Sequence, residues 1–472
     1  MLAIGMSRFG TVGVANRTSR WTKCKIKMAV SASRIQNAVE LLEYVAVSAG
    51  MMFGASCFLV LGFIAEANSV RNIALAITIA ATLCISTALA VGEMASRFPS
   101  APGIRTYIKC AFGDEISLFF TYLSLLVAIL FAGIEIKVFW DALLPGTSPH
   151  ARAVATFAMI GVLGYLNVTG RELPRLIQVL ICSALVAGTT AVSWVAMTRI
   201  DVALAYAPTG PQASFISAIG IAFFVFIGFE WVTPAAKSPE ASRRLIPISM
   251  IIAIATLAIT YLLFAVALNL ALPSADLLQS KIPHVSLGGR LFPDHGALMM
   301  QCLSVLALVT ILNAGVIGAS RLLYFLGRDR SFFRWLNERL SILNSKGVSS
   351  ASVVLLCGLC LLSSLLEIYL DSTQNIAELC AGLYCLVYCA FVASHIRLRK
   401  QPVDRVLFRS PLPIGLYYVL AAILLMLGIA TFLGSVDHIS TRLPLLTLIV
   451  FLSGAAAFNV AKSRRLATYR KT

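Results

Sequence analysis

The chain has 472 residues, of which 59% are hydrophobic and 12% charged, with a formal net charge of +17. A soluble domain carries roughly twice that charged fraction, and no segment here is polar enough to build one. Apolar stretches of about 20 residues, the length that crosses a bilayer, occupy most of the sequence.

Residues 1–39 form a basic tail, and its apolar start, Met1 to Met6, is too short for the core of a signal peptide. Twelve stretches then qualify as spans: 44–65, 73–93, 116–140, 153–170, 176–198, 213–234, 248–272, 297–320, 351–370, 375–396, 412–434 and 443–461. The Lys and Arg residues sort by side. Of the 38, 31 fall in the two tails and the even-numbered connections and six on the opposite side, with Lys137 near a helix end. The positive-inside rule then predicts that both termini are cytoplasmic and that the span count is even. The net charge follows from topology and from attraction to anionic lipid. No nucleic-acid partner is expected.

Eleven cysteines are present. Cys357 and Cys360 have CxxC spacing but lie inside an apolar span, as do Cys380, Cys385 and Cys389. They read as small packing residues rather than a zinc site. Neither a metal nor a cofactor is expected.

Two spans are interrupted by glycine. The first contains Gly50 and Gly54 in Ala49-Gly50-Met51-Met52-Phe53-Gly54-Ala55-Ser56, and the sixth contains Gly228 in Phe226-Ile227-Gly228-Phe229-Glu230, with Pro234 beyond. Paired interruptions five spans apart point to an inverted-repeat transporter. An unwound turn frees backbone N–H and C=O groups that lipid cannot satisfy, so they must line a cavity. The N-terminal end of a half-helix suits an anion, and exposed carbonyls suit an ammonium group or a cation. Gly50 and Gly54 also fit a GxxxG packing face, which needs no break; the matching interruption in the sixth span favours unwinding.

Among the ionisable residues, Glu230 lies inside a span beside the predicted break. A buried carboxylate there is a functional candidate, with a structural pairing to the broken helix's N–H groups as the alternative. Glu135 and Lys137 read as rim residues near the outer end of the third span. Glu43 reads as an inner-end residue, and Asn313 as a partner in a helix–helix hydrogen bond. The eighth span offers Ser304, Thr310 and Ser320 with no adjacent hydroxyl pair, a weak basis for a sodium cage.

An ordered set of motifs runs from about residue 40 to 435: Gly54-Ala55-Ser56-Cys57-Phe58; Glu93-Met94-Ala95-Ser96-Arg97-Phe98-Pro99; Phe226 to Glu230; Pro239-Glu240; Ser320 to Asp329; and Phe408-Arg409-Ser410-Pro411. In these the chain resembles the amino acid–polyamine–organocation superfamily of transporters. Ser56 stands where many members carry a third glycine, Lys237 where many carry an acid, and the fifth span lacks the lysine of some proton-coupled members.

The resemblance implies an all-α polytopic membrane protein of the leucine-transporter type. Two inverted five-helix repeats, residues 40–200 and 210–397, would be followed by two further helices in 398–462 and a cytoplasmic tail, 463–472. It implies a secondary transporter of amino acids or related amines, working by proton coupling or exchange, in a plasma membrane. Gly54, Ala55 and Ser56 would offer N–H groups to a substrate carboxylate. Carbonyls near Gly50, Phe226 and Ile227 would take its amino group, Phe229 and Trp231 would form an aromatic lid, and Glu230 would carry a coupling proton. A polyamine carrier or a non-transporting sensor of the same fold is the alternative. A channel lacks its symmetric filter here, and the spans lack the clustered acids or histidines of a membrane enzyme.

Overall fold

The computed structural model describes residues 36–434 apart from 68, 100–102, 172–173, 200–214, 274–276, 278–279 and 403–404. Its long elements are all helical: α1 (Gln36–Met52), α2 (Ala55–Ala67), α3 (Val70–Arg97), α4 (Gly103–Phe112), α5 (Asp114–Leu143), α6 (Pro149–Val168) and α7 (Arg175–Arg199). Then come α8 (Phe215–Phe224), a 3₁₀ turn (Phe229–Ala235), α9 (Pro239–Ala271), α10 (Pro283–Leu291), α11 (Gly296–Arg328), α12 (Arg334–Leu340), α13 (Ser350–Leu370), α14 (Thr373–Leu398) and α15 (Ile414–Gly434). Nine of the described helices, together with the segment Ala218–Ala235 that runs from α8 through the 3₁₀ turn, give ten spans long and apolar enough to cross a membrane, or eleven when the bent pair α1–α2 counts as one span. These match the first eleven predicted spans. The predicted twelfth, 443–461, lies outside the described residues.

Local sequence sets the helix starts. Ser69, Ser148, Ser238 and Ser349 each accept a backbone N–H from three residues ahead, at the starts of α3, α6, α9 and α13, which satisfies donors a helix N-terminus leaves open. Proline follows Ser148 and Ser238 at the first helical position, where its missing N–H costs nothing.

The outer helices carry exposed apolar side chains such as Val154, Phe157, Leu180, Trp194 and Met426. Bare to water these would be costly; against lipid they are at home. Inside, α3 packs along α9, α14 along α15, and α5 lies against α11, α13 and α14.

The polar motifs are joints between helices. Glu93 accepts Arg97 Nε at 3.0 Å and the Ser410 N–H at 3.1 Å, and sits 3.0 Å from His395 Nε2. Ser96 Oγ accepts the N–H groups of Leu407 and Phe408 at 2.8 and 2.9 Å. The Glu93–Arg97 motif thus locks α3 and α14 to the segment before α15. Arg105 on α4 pairs with Asp329 at 2.7 Å, tying α4 to the end of α11. These joints share the Lys/Arg-rich end of the bundle, called the basic end below.

Candidate functional site

The first span breaks at Phe53-Gly54, where α1 and α2 meet at 58°. Two open donors at the start of α2 find their partner on α5. Glu135 Oε2 accepts the Ser56 N–H at 3.1 Å, Oε1 accepts the Ser56 hydroxyl, and the Ala55 N–H also bonds the carboxylate. A Cβ on Gly54 would overlap this carboxylate, so only glycine lets the chain pass so close. Gly50, by contrast, stays inside α1. A Cβ there would lie 2.8 Å from Gln178 Nε2 and 3.4 Å from Thr310. Gly50 therefore serves close helix packing, and Gly54 serves the break.

The sixth span breaks between α8 and the 3₁₀ turn. Gly228 has φ +114, in the left-handed region, where an L side chain is strained. A Cβ on it would lie 2.9 Å from the Met51 carbonyl oxygen. The two breaks therefore touch. Beyond Gly228, the fully buried Glu230 accepts the hydroxyls of Tyr384 and Tyr388 at 2.5 and 2.6 Å. Tyr384 in turn accepts Trp231 Nε1 at 2.8 Å, and Tyr388 accepts the Gly228 N–H at 3.2 Å.

A cavity of about 60 Å³ opens at this junction, bordered by Met51, Phe131, Glu135, Ile227, Trp231 and Tyr384 among others. Its wall is otherwise mostly aliphatic. Trp231 also borders a second, more polar pocket toward the basic end, with Arg175, Gln178, Asn313 and Arg321. Asn313 Nδ2 donates to Gln178 Oε1 at 3.0 Å, the helix–helix bond expected for it.

Ion pairs cross both ends of the bundle. At the basic end, Lys237 on the segment after the 3₁₀ turn meets Glu43 of α1 at 2.6 Å, with Arg175 of α7 at 3.8 Å. At the opposite end, Lys137 meets Asp141 and Asp371 at 2.7 Å each. Arg152 pairs with that Asp141, and Lys281 with that Asp371.

The expected site residues fall in three groups. Ile227 and Trp231 border the cavity, and Ala55 and Ser56 hold Glu135 at its wall. Phe226 and Phe229 are fully buried beside it, packed on Tyr261 and Tyr388. Glu230 stands one side chain behind it, beyond Tyr384. The rim assignment of Glu135 is corrected: it is fully buried against the start of α2, whereas Lys137, also buried at 4% exposure, stays in the ion-pair cluster at the bundle's end. Helix α5 continues to Leu143, beyond the predicted boundary at 140, and the ion-pair cluster covers its end. Sequence reasoning also missed Tyr384 and Tyr388. A signal existed, because Ala128, Phe131, Ala132 and Glu135 recur at helical spacing on one face of α5, and the tyrosines lie four apart on α14.

Two touching half-broken helices around a cavity, with ion pairs above and below, define a membrane permease of the amino acid–polyamine–organocation type. Residues 39–454 match the family model described as amino acid permease, and the chain belongs to that family. It is 24% identical to an uncharacterized transporter of Mycobacterium tuberculosis over 64% of this chain and 68% of that one. It is 22% identical to a mitochondrial cationic amino acid transporter of Arabidopsis thaliana, over 81% of this chain and 65% of the relative. It is 24% identical to a low-affinity putrescine importer of Escherichia coli, over 54% and 59%.

Proposed function

We propose that this permease carries an amino acid or a related amine through the cavity between the two breaks, by alternating access. One observation supports this above others: the cavity lies where Gly228 meets Met51, and Glu135, Trp231 and Tyr384 converge on it. Trp231 is the lid toward the basic end, since it stands between the cavity and the polar pocket beyond. Carbonyls near Gly50, Phe226 and Ile227 become ammonium ligands as the breaks flex, and Phe229 braces Tyr388. The relatives named for cationic amino acids and for putrescine support an amine-bearing cargo.

Transport is sodium-independent and either proton-coupled or an exchange. Ser304, Thr310 and Ser320 include no adjacent hydroxyl pair, which supports the absence of a sodium cage there. Glu230 is the coupling carboxylate, linked to the cavity by the Tyr384 hydroxyl. The basic end faces the cytoplasm of a plasma membrane, with both termini on that side. Residues 40–200 and 210–397 are the two inverted repeats. The order of elements supports this: each half holds a broken span, a long helix, a short helix (α4 or α10) and three more long helices, with α12 as an additional short helix in the second half.

The test is a thermal-shift panel of amino acids and amines on the purified protein, since a ligand that binds only the folded state raises its melting temperature. At least one compound should stabilise the wild type and lose its effect in Trp231→Ala. Stabilisation by none would contradict the proposal.

A further inference from the structure

In this fold the N–H groups at a half-helix start form a ready anion site. Here both such sites are already filled by the protein itself. Glu135 takes the Ala55 and Ser56 N–H groups and the Ser56 hydroxyl. Glu230 fills the other break, with two tyrosines donating to it. Among the described residues bordering the cavity, Glu135 is the one acidic or basic side chain. Arg175 and Arg321 lie on the far side of Trp231. A substrate carboxylate entering the cavity would therefore meet a carboxylate where it needs donors, with aliphatic wall elsewhere.

The same geometry suits a cation. Glu135 is fully buried and held in place from one side by the start of α2. Phe131 and Trp231 border the same space, and the face of an aromatic ring attracts an ammonium. We infer that the cavity takes an amine that lacks a carboxylate, a small primary amine with an apolar body, and that Glu135 is the counter-charge of its ammonium. The inference rests on the reading of this cavity as the permease's substrate site. In this account Gly54, Ala55 and Ser56 act on the substrate through Glu135: the glycine makes room for the carboxylate, and the next two residues orient it.

The experiment uses matched pairs that differ by the carboxylate alone: lysine and cadaverine, leucine and isopentylamine, phenylalanine and phenethylamine. Binding to the full-length protein in detergent is titrated for each, and leak-corrected counterflow is measured in proteoliposomes. In at least one pair the amine should bind about tenfold or more tightly than its amino acid, the size of one charge-assisted contact. Glu135→Gln keeps an acceptor for the backbone N–H groups and loses the charge. It should lower amine affinity by about the same factor, and Glu135→Asp should restore part of it. The wild-type comparison stands even where a variant folds poorly. Equal or tighter binding of the amino acid in every pair, or an unchanged amine affinity in Glu135→Gln, overturns the inference. Saturable amino acid counterflow without amine binding would overturn it and leave the permease reading intact. No saturable binding or counterflow for any compound would overturn both.

Discussion

Gly54 and Glu135 share one space: a Cβ on the glycine would overlap Oε1 of the carboxylate that holds the start of α2. Overpacking of this kind costs roughly 1–3 kcal/mol, enough to shift a conformational equilibrium about fivefold or more. Gly54→Leu should therefore abolish transport, and Gly54→Ala should lower it about tenfold, while the protein still inserts. Gly358→Ala is the control, because a Cβ there meets nothing within 4 Å. Normal transport by Gly54→Leu would make the glycine a packing residue only and move the site elsewhere.

The Tyr384 hydroxyl joins the lid to the proposed coupling acid, accepting from Trp231 and donating to Glu230. Tyr384→Phe leaves the Trp231 N–H without its acceptor, at a cost of about 1–3 kcal/mol, and leaves Glu230 with Tyr388 as its tyrosine donor. Its transport should fall strongly at every pH. Glu230→Gln keeps the shape and an acceptor, so it should fold and flatten or displace the pH profile of transport. A wild-type profile in Glu230→Gln would remove this residue from coupling and leave the permease in place.

The ion pairs of Asp371, opposite the basic end, should be insensitive to mild acid. Partial burial pushes the Asp371 carboxyl up, but hydrogen bonds and charge from Lys137 and Lys281 outweigh it and hold the group at about 2, below its ordinary 3.8. A carboxylate depressed in this way contributes in full above its ordinary value and loses that contribution only as pH falls through about 2. Asp371 is about half exposed and Lys281 more so, exposed pairs contribute about 0–1 kcal/mol, and the buried Lys137 keeps Asp141 as a partner when Asp371 is neutralised. Asp371→Asn should thus change transport less than about fivefold, with the pH profile parallel to wild type between about pH 5 and 8. Lys137→Met removes a buried ammonium and should cost more, seen as a lower yield of folded protein. A displaced acid limb in Asp371→Asn would contradict this.

Ser280 and Ser345 flank opposite ends of α11, a helix of 33 residues and so about 50 Å long. Cysteines introduced at the two positions should react with a membrane-impermeant reagent from opposite sides, Ser345→Cys from the cytoplasm. Labelling of both from one side would contradict the orientation and the span count.

Much of this was legible in the sequence, for physical reasons. Span length and the Lys/Arg bias are properties of the chain and the bilayer, so the first eleven spans fall where predicted. The breaks were legible because Gly54 in the first apolar run and Gly228, with Pro234 beyond it, in the sixth fall five spans apart. What the sequence hid was the partner of each break. Glu135 lies 79 residues from Ser56, and Tyr384 lies 154 from Glu230. Nothing local to either carboxylate says which helix start or hydroxyl it meets. The early predicted end of α5 made Glu135 look like a rim residue, when packing against α2 places it at the centre.

Counterflow in proteoliposomes reads transport through the cavity itself. Vesicles preloaded with unlabelled amine or amino acid are given the labelled compound outside, in sodium-free buffer. Saturable accumulation of at least one amine-bearing solute is expected in the wild type, unchanged by added sodium and lost in Gly54→Leu and Trp231→Ala. Strict dependence on sodium would contradict the coupling. Absence of saturable flux for every solute, or equal flux in wild type and Gly54→Leu, would contradict the assignment of transport to the cavity between the two breaks.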